Sequence, residues 1–143
     1  MLDIKFIRSN PEFVKAAMKN RNADLDETID RIIEVFPPEE QAQIRTSLSE
    51  SIQAIIAQTL FKRADKKGRV PALEIMFGIP SVRNMIRESK GHQIPSAIQT
   101  GRKQGMILLD ASLAQLVEEG VITLSTAMEK CTDKEQLKKF LEA

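Results

Sequence analysis

Soft metal ligands are almost missing from this sequence, which has one histidine, His92, and one cysteine, Cys131. A lone cysteine allows no internal disulfide, which fits a reducing compartment. A structural zinc site would need ligands that the chain does not contain, so no metal is expected. The six glycines, at positions 68, 78, 91, 101, 105 and 120, build no G-x-x-x-x-G-K-[ST] phosphate loop. ATP hydrolysis by this chain alone is therefore not expected, and no cofactor is called for. Nowhere do eighteen apolar residues run together, and the opening MLDIKFIRSNPEF lacks the apolar core of a signal peptide. Neither a membrane span nor export is expected, and the cytoplasm is the expected location. Charge of one sign is also lacking: 21 basic residues face 20 acidic ones. The total charge thus encodes neither a nucleic-acid-binding field nor an acidic tail, and partners must be read locally.

What the chain does have is a helical period and enough apolar material, 42% of 143 residues, to fill the core of one domain. Ser9 and Glu12 stand at capping-box spacing before the stripe Phe13, Val14, Ala17 and Met18, which predicts a helix near Pro11–Asn20. Ile29, Ile32, Ile33 and Phe36 predict a second helix, stopped by Pro37 and Pro38. Beyond the prolines, Glu39 and Glu40 suit a helix N-terminus, and Ile44, Leu48, Ile52 and Ile55 predict a third, longer helix. The pattern then changes. QTLFKRADKKGRVPALEIMFG has two apolar runs around a polar turn at Ala64–Arg69 and predicts a β-hairpin, with Pro71 near a strand start or on an edge. After Gly78, helices are expected at Pro80–Ser89, Pro95–Arg102, Asp110–Glu119, Ser125–Lys130 and Lys134–Glu142, with Gly120 ending one and a Thr132–Glu135 capping pair opening the last.

Few residues offer chemistry. His92 follows a glycine turn with no partner in sequence and reads as an exposed or hydrogen-bonded structural residue rather than an acid or base. Cys131 has no base beside it and reads as inert. Lys62, Arg63, Lys66, Lys67 and Arg69 surround the hairpin turn, where phosphate contact competes with the plainer reading of a solvated polar turn. In SVRNMIRES, Val82, Met85 and Ile86 share one side of a helix, while Arg83 and Arg87 lie four apart on another side, expected to face solvent or a partner.

From about Thr28 to the C-terminus the sequence resembles the C-terminal part of the type IV pilus retraction ATPases, the PilT family of the secretion-ATPase class. TIDRIIEVFPPEEQAQIR, QAIIAQTLFKRADKKGRVPALEIM, VRNMIRESKGHQIPSAIQTG and GMILLDASLAQLVEEGVIT all occur in that family's order. The resemblance places the family's AIRNLIRE motif, associated with pilus retraction rather than nucleotide binding, on Ser81, Val82, Arg83, Asn84, Met85, Ile86, Arg87 and Glu88. Arg83, Asn84, Ile86, Arg87 and Glu88 match it directly. At GMILLD, Ile107 and Leu108 stand where the family's GMQTMD-like segment has polar residues. The family's PAS-like domain, Walker A loop, aspartate box, Walker B segment and histidine box would precede Thr28. The first two dozen residues instead resemble the start of seryl-tRNA synthetases, without the coiled-coil arm and class II core that follow in that family.

These resemblances imply a mainly α fold, the helical C-terminal lobe of a secretion-type ATPase with one β-hairpin, over residues 26–143 behind a synthetase-like segment at 1–25. The implied role is non-catalytic: subunit packing and force transmission in pilus retraction and twitching motility, with retraction ATPase subunits and pilus machinery as partners at the cytoplasmic face of the inner membrane. Two alternatives stand beside it. One is an engineered or recombined chimera without selected activity; the other is a weak RNA-binding module, against which the near-neutral charge weighs.

Overall fold

The computed structural model describes residues 25–142. The helix expected at Pro11–Asn20 and the capping pair Ser9–Glu12 lie outside the described residues. Helices α1 (Leu25–Glu34) and α2 (Pro38–Ser51) lead into strands β1 (Ala54–Lys62) and β2 (Arg69–Phe77). Helix α3 (Pro80–Arg87), α4 (Ile94–Thr100), α5 (Leu109–Glu118), α6 (Leu124–Lys130) and α7 (Lys134–Leu141) follow, with 3₁₀ turns at Gly91–Gln93 and Gly101–Gln104. The architecture is mainly α with one two-stranded antiparallel sheet, as the sequence predicts.

The Pro37-Pro38 pair separates α1 from α2 and also starts the latter: Pro38 occupies its first turn, where a missing N–H costs nothing, followed by Glu39 and Glu40. The third helix is shorter than its apolar spacing suggests. It ends at Ser51, Ile52 turns to extended backbone (φ −64°, ψ 127°), and Ile55 belongs to β1. In the run IQAIIAQTL the β-branched residues continue a helical spacing by coincidence, and ladder pairing with β2 decides the outcome.

The hairpin pairs Ala54 with Phe77 through Lys62 with Arg69. Its inner face carries Phe61, Ala72, Glu74 and Met76, all buried. On β2 the N–H groups of Leu73 and Ile75 point away from β1, the first to Ser112 Oγ (3.1 Å) and the second to Ile107 O (2.8 Å). Alternation puts Pro71 nitrogen on that same outer edge, so proline interrupts no bond between the strands, as its expected edge position requires. Gly78, just beyond β2, is fixed by close approach: a Cβ there would collide with Ile52 O.

Two apolar clusters form the core. The first gathers Ile29, Ile33, Met76, Val82, Ile86, Ile94, Ile98 and Met106; the second gathers Phe61, Ala72, Leu113, Ile122 and Leu137. Phe140 packs against both. Gly120 ends α5 with φ 68°, the left-handed geometry that glycine adopts without a Cβ penalty. The cap of α7 differs from expectation. Asp133, not Thr132, is the N-cap, its Oδ1 accepting from the Glu135 and Gln136 N–H groups at 2.8 and 3.2 Å. An aspartate one residue closer to the helix supplies the short acceptor that the first turn needs.

Candidate functional site

The eight residues that carry the motif resemblance lie in and just after α3. Ile79 is its N-cap, Pro80 sits in the first turn, and Val82 and Ile86, four apart, are buried together on one face. Met85 packs at the edge of the same cluster, so the apolar side of the helix is the one the spacing predicts. Glu88 closes the helix, and Ser89 then takes a left-handed conformation, φ 57°, with Lys90 N–H donating back to Met85 O at 2.8 Å. That bond satisfies a carbonyl of the last turn.

The polar side divides in two. Arg83 does not extend into solvent. Its guanidinium donates to Gly78 O (2.5 Å) and Glu50 O (2.6 Å), with Gln53 Oε1 at 3.5 Å. One side chain thus ties together the end of α2, the entry to β1 and the β2–α3 junction. The expectation that both arginines face outward is corrected for Arg83: a guanidinium has five donors in a planar fork, and three acceptors converge where α2 and β2 end side by side. Arg87, by contrast, is exposed and makes no hydrogen bond or ion pair among the described residues. Asn84 Nδ2 donates to Glu88 Oε1 (2.9 Å), and Lys90 Nζ lies 2.7 Å from Glu88 Oε2. The bonds from Lys90 and Asn84 hold the Glu88 carboxyl below the usual carboxylate range. Ser81 is exposed at the first turn.

From α2, Arg45 reaches Asp30 Oδ1 (3.1 Å) on α1 and Ile86 O (3.4 Å) on α3, fixing the three helices together. Neither Arg45 nor the Arg83 clamp has a local sequence signal, because each also reaches a backbone carbonyl far along the chain, Ile86 O 41 residues from Arg45 and Glu50 O 33 residues from Arg83.

The GMILLD segment is structural along its length. Ile107 pairs with Ile75 outside the hairpin, Leu108 is the N-cap of α5, and Asp110 is buried. Asp110 accepts the Thr132 N–H on Oδ1 (2.8 Å) and the Asp133 N–H on Oδ2 (2.9 Å), joining α5 to the loop that starts α7. Burial pushes its carboxyl up, partly offset by those two backbone bonds.

The remaining candidates are scattered. His92 is exposed beside Gln93. Cys131 donates to Met128 O (3.6 Å), and burial pushes its thiol up, against nucleophilic use. At the hairpin turn, Arg63 is held by Asp65 at 2.6 and 2.8 Å, while Lys62, Lys66, Lys67 and Arg69 are exposed. Among the described residues no three histidine, cysteine or carboxylate side chains are placed to hold a metal ion, and no helix is long and apolar enough to cross a membrane.

Two kinds of relative share this chain. The seryl-tRNA synthetase N-terminal domain family matches residues 1–73. The type IV pilus retractation ATPase PilT of Pseudomonas aeruginosa is 53% identical over 103 residues, covering 72% of this chain and 30% of that protein. A twitching motility protein of Neisseria gonorrhoeae is 44% identical over 110 residues, 77% of this chain and 29% of the relative. This chain therefore spans about 30% of the length of the curated relatives it matches. Among solved structures, the crystal structure of the pilus retraction motor PilT with bound ADP superimposes with TM-score 0.70 at 35% identity, covering 80% of this chain and 31% of that one. Residues 74–143, under half of the chain, could not supply that coverage alone, so the superposed fold extends into the region that the synthetase family also matches. By its first 73 residues the chain belongs to the seryl-tRNA synthetase N-terminal domain family, and over some three quarters of its length it is similar to part of the type IV pilus retractation ATPase PilT and of a twitching motility protein.

Proposed function

We propose that residues 26–143 act as the non-catalytic C-terminal lobe of a pilus retraction motor, packing against motor subunits and transmitting force during retraction, at the cytoplasmic face of the inner membrane. The observation that supports this reading is the division of the motif helix. Arg83 anchors α3 to two other elements, while Asn84, Arg87 and Glu88 stand exposed on a helix whose opposite face is locked into the core. A rigidly seated helix with a polar outward face suits a contact that must bear load between protein subunits.

In this reading the synthetase-like segment at 1–25 is a separate unit, the isolated chain turns over no ATP, and its partners are proteins. The test is transplantation of Arg87→Ala into an intact retraction motor. Retraction should fail while nucleotide binding and ring assembly persist; retraction at the normal rate overturns the role of the helix. A second reading, weak RNA binding, is favoured by the synthetase family match and by four exposed cations at the hairpin turn. With a near-neutral chain, such binding should vanish as salt rises to physiological levels, and tight, tRNA(Ser)-selective binding there would replace the first reading.

A further inference from the structure

A groove of about 290 Å³ opens between the 3₁₀ turn after α4 and helix α7. Its floor is apolar: Met106, Ile107, Leu108 and Phe140. Two cations stand on its walls, Arg102 from the 3₁₀ turn and Lys139 from α7. Both are exposed and neither side chain makes a hydrogen bond or ion pair among the described residues, although Lys138, one residue before Lys139, is paired with Glu135 at 2.8 Å. No carboxylate lines this hollow. A second hollow of about 230 Å³ shares Ile98, Leu108 and Gln136 with it and is lined by Asp110, Asp133 and Glu74. The first hollow is thus basic and its neighbour acidic.

We propose that this groove is a docking site for an amphipathic helical segment of a protein partner, one that lays an apolar ridge along the floor and places carboxylates beside Arg102 and Lys139. The charge pattern selects the occupant. An apolar floor supplies affinity for a ridge of leucine-like side chains at helical spacing, and two unpaired cations supply sign and orientation. No carboxylate lines the hollow around Arg102 and Lys139, and the nearest one on α7, Glu135, is taken by Lys138, so a partner's carboxylates can supply their counter-charges. Two of the floor residues, Ile107 and Leu108, stand where the resembled family segment has polar residues.

The experiment is fluorescence anisotropy on the full chain with two labelled synthetic peptides, one with a leucine stripe flanked by glutamates in its first half, the other with lysines replacing those glutamates. The acidic peptide should bind with micromolar Kd and the basic one at least tenfold more weakly. Arg102→Glu with Lys139→Glu should reverse that order. Ile107→Gln with Leu108→Thr, which restores polarity to the floor, should weaken the acidic peptide at least tenfold while circular dichroism shows a folded chain. Equal binding of both peptides, no binding of the acidic one at millimolar concentration, or tighter binding of dodecanoate than of any peptide would each overturn the proposal.

Discussion

Replacing Arg83 by alanine should destabilise the fold far more than replacing Arg87, although both belong to one motif and one helix. The Arg83 guanidinium makes a part-buried, charge-assisted bond to Gly78 O and a more exposed one to Glu50 O. A bond to a charged donor contributes about 1.5–3 kcal/mol when sheltered and less where water can replace it. The Gly78 carbonyl is the more sheltered acceptor, its bond part-buried where the one to Glu50 is exposed. The expected cost is therefore about 2–3 kcal/mol for Arg83→Ala, against about 0.5 kcal/mol or less for the unpartnered Arg87. For a chain of this size the first corresponds to a fall in Tm of about 6–12 °C. Urea and thermal unfolding followed at 222 nm measure both variants directly. Equal stabilities would show that the clamp contributes nothing net, and the structural half of the division within α3 would fall with it.

Three other substitutions test the framework. Ile86→Ala removes a side chain that is 1% exposed and should cost about 2–5 kcal/mol, readable in the same denaturation series; a loss under 1 kcal/mol would mean that α3 does not seat in the core as described. Ser89→Gly relieves a left-handed backbone at the end of α3 and should stabilise by about 0.5–1 kcal/mol, with unchanged or lower Tm as the contrary result. Asp110 has its pKa raised by burial, so the native state holds that proton more tightly than the unfolded chain does. Its contribution is greatest at low pH and declines as pH rises from the ordinary aspartate value through the raised one. The stability difference between the parent and Asp110→Asn should shrink as pH rises across that window, and a difference that grows would reverse the sign assigned to its burial.

The helical period and the turn residues made most of the architecture readable. Pro80, Gly120 and the buried pair Val82 and Ile86 mark positions where local chemistry and tertiary packing agree. Where they compete, the sequence misleads. Ile52 and Ile55 continue a helical spacing beyond Ser51, but pairing with β2 draws Ile55 into a strand. Thr132 and Glu135 have capping-box spacing, but Asp133 is the better acceptor and takes the cap. The motif helix was legible as an amphipathic segment with two arginines, yet nothing local distinguishes Arg83 from Arg87. Their difference arises from carbonyls on α2 and at the end of β2, set beside α3 only by the tertiary fold. The groove was half legible, since the apolar departures at Ile107 and Leu108 stand out, whereas the approach of Lys139 on α7 depends on the packing of that helix.

The hairpin has a consequence for how this chain comes apart. Met76 lies in one apolar cluster, and Phe61 and Ala72 lie in the other, so a single ladder is rooted in both. Neither half can melt while the other keeps its strands in register, because loosening one end exposes the backbone groups that the other end holds in place. Unfolding of residues 26–143 should accordingly be a single all-or-none event, with the calorimetric enthalpy equal to the van't Hoff enthalpy, despite the short helices and many connections. The slowest-exchanging amides should lie on the inward-bonding residues of the two strands rather than in any helix, and damage at Phe61 should be felt at Ile33 as fully as damage beside it.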